Sequence, residues 1–216
     1  MTKNIILIIS ILSFSLSYGQ YNWTSGKVIL KNGDTLKGLL KIPMTSGSLL
    51  SFSKNKLEYK KDKKGKKKKF DKTEVHKIYF SGISNPDLGY YEYVPLTSNK
   101  MALFKLIRNG KVKLYIRTIK ITVNTGFEGN NPIGSGKKVK KIKEYYMIRE
   151  TEKVATRVFQ ESDGLSIAYK ASLRTFKNYM KEYFSDCDNV LSYINDDLYE
   201  DFDVKQIIED YNLLCE

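Results

Sequence analysis

A change of hydrophobic period near Leu165 most narrows what this chain can fold into. Before it, short segments rich in β-branched and aromatic residues alternate apolar with polar side chains and are separated by turn chemistry. After it, apolar residues recur at intervals of three and four. Strands first and helices last predict an α+β fold. The expected architecture is an antiparallel β-sheet sandwich or partly open, barrel-like N-terminal part over residues 20–165. A small C-terminal helical segment over residues 166–216 packs on it.

The strand candidates are Trp23–Leu30, Thr35–Ile42, Leu49–Tyr59, Val75–Phe80, Tyr90–Leu96, Ala102–Ile107, Lys111–Val123, Tyr145–Arg149 and Val154–Phe159. Asn32-Gly33 and Asn109-Gly110 mark two hairpins, because Asn-Gly readily adopts the positive φ of tight turns. Ser84-Asn85-Pro86-Asp87 reads as a further turn. The Gly- and Asn-rich stretch Asn124–Lys138 reads as a mobile loop. In the last part, Leu173, Phe176, Met180 and Phe184 form one helical stripe. Asp188 is positioned to cap a second helix holding Val190, Leu191 and Ile194, and Val204, Ile207, Ile208 and Tyr211 mark a third.

Residues 1–19 have the three parts of a secretory signal peptide: Lys3 in a charged start, an apolar run from Ile5 to Leu16, and Ser17-Tyr18-Gly19 with small residues at its first and third places. The apolar run is too short for a spanning helix, which needs about 20 residues. Cleavage after Gly19 would leave Gln20 first and place the protein in the periplasm, at the outer membrane or outside the cell. No later stretch is apolar enough to span a bilayer as a helix. Strands that are short, studded with lysine and followed by helices argue against a transmembrane barrel.

The net charge of +13 is unevenly distributed. Residues 186–216 hold ten acidic residues against Lys205 as the one basic residue. Such asymmetry implies either an anionic partner or attraction between the parts. Two lysine groups stand out as possible anion-binding residues. Lys60, Lys61, Lys63, Lys64, Lys66, Lys67, Lys68 and Lys69 surround Gly65, and Lys137, Lys138, Lys140, Lys141 and Lys143 form the second group. If both lie on one side, their fields add and attract polyanions such as envelope polymers or lipid headgroups. The alternative is a solvated hairpin tip that keeps strand edges soluble. Lysine runs without interleaved aromatics argue against sequence-specific nucleic-acid binding.

The two cysteines, Cys187 and Cys215, can persist as a disulfide in an exported protein. It would close a loop of about 29 residues and contribute ~3.5 kcal/mol in the chain-entropy model. Two separate buried thiols are the alternative.

Gly26-Lys-Val-Ile-Leu-Lys-Asn-Gly-Asp-Thr-Leu-Lys-Gly38, Phe184-Ser-Asp-Cys187 and Tyr211-Asn212-Leu-Leu-Cys215 bracket nearly all of the chain beyond the leader. In these landmarks the chain resembles an uncharacterised family of exported envelope proteins of Bacteroidota-type bacteria. The resemblance implies an exported, largely β domain with a small helical end, and no catalytic residues.

No catalytic constellation emerges from the residues themselves. His76 is the single histidine, within an expected strand and without a nucleophile elbow elsewhere. Gly129–Lys138 lacks the Gly-Lys-Ser/Thr ending of a phosphate-binding loop. One His and two Cys do not make a zinc site. Asp196, Asp197, Glu200, Asp201 and Asp203 lack the spacing of a calcium loop. The expected function is therefore a non-enzymatic, cofactor-free interaction or structural domain of the envelope. An electrostatic binder of polyanions or anionic membrane surfaces is the alternative, and a hydrolase of unrecognised type comes third.

Overall fold

The computed structural model describes residues 22–43, 56–82, 89–124, 137–162 and 173–215. Ten strands come first: β1 (Thr24–Leu30), β2 (Thr35–Lys41), β3 (Leu57–Lys60), β4 (Lys68–Phe70), β5 (Val75–Phe80), β6 (Tyr91–Thr97), β7 (Lys100–Arg108), β8 (Val112–Asn124), β9 (Lys137–Arg149) and β10 (Thr156–Ser162). Three helices follow: α1 (Leu173–Tyr183), α2 (Asp188–Asn195) and α3 (Val204–Leu214). The strands form one antiparallel sheet in the order β10-β9-β8-β7-β6-β5-β1-β2-β3-β4. The α+β expectation holds. The leader, the first part of the strand expected from Leu49, the Ser84–Asp87 turn and residues 125–136 of the expected loop lie outside the described residues.

The sheet curls at its N-terminal end. In a flat sheet β4 and β5 would stand four strand spacings, about 19 Å, apart. Only Asp71–Glu74 joins them, and the Val75 N–H donates to the Asp71 carbonyl at 3.0 Å. A connection this short requires β1–β4 to roll until β4 returns to the start of β5. Val28, Leu40, Leu57 and Ile78, all at 0% exposure, fill the roll. Gly26 and Gly38 face one another across β1 and β2. A Cβ on Gly26 would come within 2.3 Å of the Tyr79 carbonyl oxygen, and one on Gly38 within 2.3 Å of the Lys60 carbonyl oxygen. Glycine is required because the neighbouring backbone occupies the space of a side chain.

The other half closes similarly. The Ala155 N–H, just before β10, donates to the Pro95 carbonyl on β6 at 2.8 Å, although β7, β8 and β9 lie between those strands. Phe104, Leu106, Tyr115, Tyr146 and Ala155 pack inside. Glu144, 2% exposed, joins this interior. Its Oε2 accepts from Arg117 Nε at 2.6 Å, and its Oε1 accepts from Gln160 Nε2 at 2.7 Å and Arg157 Nη1 at 3.2 Å. The Arg117 guanidinium also lies over the Phe104 and Tyr146 rings, at 5.0 and 5.4 Å. Burying this charge is tolerable because both oxygens are paired.

The helices cover the opposite face of β8–β10. Phe176, Met180, Phe184, Val190, Ile194, Val204, Ile207 and Ile208 pack against Val112, Leu114, Tyr145 and Met147. The 3.6-residue stripe thus finds a sheet face to bury it. One expectation needs correction: Cys187, with no side-chain cap, occupies the N-cap of α2, and Asp188 is the first helical residue, where its charge still suits the helix dipole. Asp203 caps α3 by accepting the Gln206 N–H at 3.1 Å.

Polar contacts fix the helical end in place. Asn212 bonds both backbone groups of Val112, accepting from its N–H and donating to its carbonyl at 2.9 Å each. A side chain on Gly110 would collide with that amide, its Cβ coming to 2.4 Å from Asn212 Cγ. Arg149 on β9 donates to both oxygens of Asp186, at 2.6 and 2.9 Å, to the Tyr211 hydroxyl at 2.9 Å and to the Tyr183 carbonyl at 2.5 Å. Tyr211 in turn donates to Asp186 at 2.7 Å. Arg108 pairs with Glu209 at 2.8 Å. The acidic segment is therefore partly neutralised by the chain's own sheet. The Cys187 and Cys215 sulfurs lie at disulfide-bonding distance, with Cα atoms 5.6 Å apart. They link the start of α2 to the end of α3.

Two predictions follow from these contacts. The Arg149 guanidinium holds the Asp186 carboxyl well below the usual carboxylate range. A depressed folded pKa contributes stability above the unfolded value and loses it as pH falls through the folded value. Asp186→Asn should thus lower the thermal midpoint at pH 7, and the gap from wild type should narrow as pH drops below about 4. Glu144→Ala leaves two guanidiniums facing a buried void, and urea denaturation should show a loss of about 3–5 kcal/mol.

Candidate functional site

The first lysine group lies around the β3–β4 hairpin: Lys60 ends β3, Lys61, Lys63, Lys64, Lys66 and Lys67 form the tip, and Lys68 and Lys69 begin β4. From Lys61 to Lys69 every lysine is exposed. Lys60 is the partly buried member, with its ammonium 4.9 Å from the Trp23 ring centre. Among the described residues Lys67 is the one tip lysine in an ion pair, with Glu58 at 3.1 Å. Asp62, the acid within the tip, accepts the Lys64 N–H at 2.8 Å and so serves the turn.

The second group, Lys137, Lys138, Lys140, Lys141 and Lys143, is on strand β9 rather than in a loop. β9 pairs with β8 over its full length, from Val112↔Arg149 to Asn124↔Lys137. β7 pairs with β8 from Arg108↔Leu114 to Lys105↔Ile116, whereas β9 accompanies β8 on to Asn124. Lys143 lies 3.3 Å from Glu161. The two groups are not neighbours in the sheet: seven strands separate β9 from β4, and β4 curls toward β5.

His76 is exposed on β5. Glu144, the buried carboxylate, has both oxygens hydrogen-bonded within the protein. Among the described residues no three His, Cys, Asp or Glu side chains are grouped to hold a metal ion, and no helix is long and apolar enough to cross a membrane.

An open cleft of about 730 Å³ lies at the N-terminal roll. Lys27, Lys37, Lys61 and Lys63 line it with Asp62 and Tyr79, and the backbone at Gly26 and Gly38 forms part of its wall. Lys27 and Lys37 are directly opposite one another on β1 and β2, and Tyr79 on β5 is opposite Lys27. The Lys27 ammonium lies 4.8 Å from the Tyr79 ring centre, a cation–π contact that restricts where it points. The pairing of β2 with β3, Leu39↔Lys60, carries the same row on toward the hairpin tip and Lys61 and Lys63. Two expected residues, Lys61 and Lys63, thus meet two that run-based reading misses, Lys27 and Lys37. The signal for the latter is register: a hairpin turning at Asn32-Gly33 pairs Gly26 with Gly38 and therefore Lys27 with Lys37.

A Gly38→Val variant tests the roll beneath this cleft. The Lys60 carbonyl would have to move, and overpacking of this kind costs about 1–3 kcal/mol. The unfolding transition, followed by fluorescence of the single tryptophan, Trp23, should shift to lower urea; an unchanged midpoint would show that the glycine is dispensable.

No family model, no curated protein and no solved structure matches this chain.

Proposed function

We propose that this chain is an exported, non-enzymatic domain of the cell envelope that binds anionic polymers electrostatically through its N-terminal roll. The observation that carries this reading is the imbalance at the β3–β4 tip, where exposed lysines have one ion-paired member among them. In the acidic C-terminal segment, Asp186 and Glu209 pair with arginines of β9 and β7. Unpaired, exposed ammonium groups on a short, turn-stiffened hairpin set up a positive field at little cost in ordering. The leader-like residues 1–19 support export, and the cysteine pair is compatible with an oxidising compartment. The resemblance of the sequence landmarks to those of exported envelope proteins is in keeping with this reading. The exposed position of His76 favours binding over hydrolysis.

Binding of this type weakens linearly on a logarithmic salt scale as counterions are recaptured. The protein should be retained on immobilised heparin at about 50 mM salt, and elute at progressively lower salt as tip lysines are removed. Replacing Lys66, Lys67, Lys68 and Lys69 together by Ser should reduce the salt slope. Absence of retention by the wild-type protein would exclude the reading.

A further inference from the structure

The cleft at the N-terminal roll combines features that a solubilising lysine surface does not need. Lys27 and Lys37 are directly opposite one another on paired strands, an arrangement that works against the fold. The same two positions adjoin the facing glycines Gly26 and Gly38, whose backbone forms part of the cleft lining. Lys61 and Lys63 enter from the hairpin tip with Asp62 between them, so four lysines and one acid, itself engaged by the Lys64 N–H, line one concavity and leave it net positive. Tyr79 holds the Lys27 ammonium in place before any ligand arrives. Its volume, about 730 Å³, is within the range of ligand sites, about 300–1,000 Å³.

We infer that this cleft is a specific site for a segment of a linear acidic glycan, a few sugar rings bearing carboxylate or sulfate groups. The inference rests on the polyanion reading above and adds to it a defined site and ligand class. The ammonium groups suit the acid substituents. Leu39, Phe80 and Tyr79 offer apolar surface for the C–H faces of the rings, and Ser25 lies at the rim to meet ring hydroxyls. The shape decides among polyanions. A bilayer presents its charges on a plane that cannot enter a concavity, whereas a flexible polymer can lie in it. An extended acidic peptide would seek a free strand edge, but β1 and β2 are both paired on two sides. Stacking of nucleobases needs an open aromatic face, and one face of Tyr79 already carries Lys27.

The test uses the full chain beyond the leader-like segment and a heparin tetrasaccharide as probe, followed by titration calorimetry. A saturable one-to-one complex is expected, with no heat from a neutral maltotetraose. Lys27→Ser with Lys37→Ser should weaken the tetrasaccharide about tenfold or more, because two charge-assisted contacts are lost. Replacing Lys66 to Lys69 by Ser removes twice the charge outside the cleft lining and should weaken it by less than about threefold. Trp23 fluorescence in urea serves as the folding control. If the double variant does not fold, Lys37→Ser alone carries the test, with a loss of about fivefold expected. Equal losses in the cleft and tip variants would overturn the inference and leave the general polyanion reading intact. So would retention on long heparin without a tetrasaccharide complex, or tighter binding to phosphatidylglycerol vesicles than to the tetrasaccharide. Failure to bind either heparin or tetrasaccharide would remove both.

Discussion

The close approach of backbone at Gly26 and Gly38 is the constraint from which the N-terminal half takes its form. Neighbouring carbonyl oxygens stand where Cβ atoms would be, so β1 and β2 can bend only if both positions lack side chains. That bend lets β4 reach β5 through four residues and encloses Val28, Leu40, Leu57 and Ile78. The backbone at the same two positions lines the cleft. Packing and surface shape are therefore set by one pair of residues, and the lysines beside that pair inherit their positions from it.

The helical end depends on a different balance. Its apolar stripes supply the driving force, but apolar burial is not directional. Direction comes from Asn212 bonding Val112 and from Arg149 bonding Asp186, Tyr211 and the Tyr183 carbonyl. Two of the sequence landmarks resolve into this arrangement. In Phe184-Ser-Asp-Cys187, the Phe is core, the Asp meets Arg149, and the Cys lies beside Cys215. In Tyr211-Asn212-Leu-Leu-Cys215, the Tyr and Asn contact the sheet while Leu213 is exposed. The charge asymmetry along the chain is in part an intramolecular attraction, through Arg149–Asp186 and Arg108–Glu209.

Much of the secondary structure was legible because its causes are local. Asn32-Gly33 and Asn109-Gly110 turn the chain whatever surrounds them, and the stripe Leu173, Phe176, Met180, Phe184 has only one periodic reading. The start of β9 was not legible. Lys137–Lys143 has weak strand propensity, and it is extended because β8 pairs with it along its length. The curl was hidden for a related reason: its closing bond joins Ala155 to Pro95, 60 positions apart in the numbering. Glu144 resembles a surface charge in sequence, since its partners Arg117, Arg157 and Gln160 come from other strands. Of the cleft, Lys61 and Lys63 were conspicuous in a run, whereas Lys27 and Lys37 are isolated residues that only strand pairing unites.

The first strand in the sequence is an interior strand of the finished sheet, with β2 on one side and β5 on the other. A nascent chain that has reached residue 60 can form the β1–β2–β3 meander, yet the flank of β1 destined for Val75–Phe80 still lacks its mate. An unmated flank of this sort invites strands from other molecules, and charged residues are the usual deterrent. Lys27 within β1 and Lys31 just after it stand on that temporarily naked border. The border is thus charged for as long as β5 has not closed it.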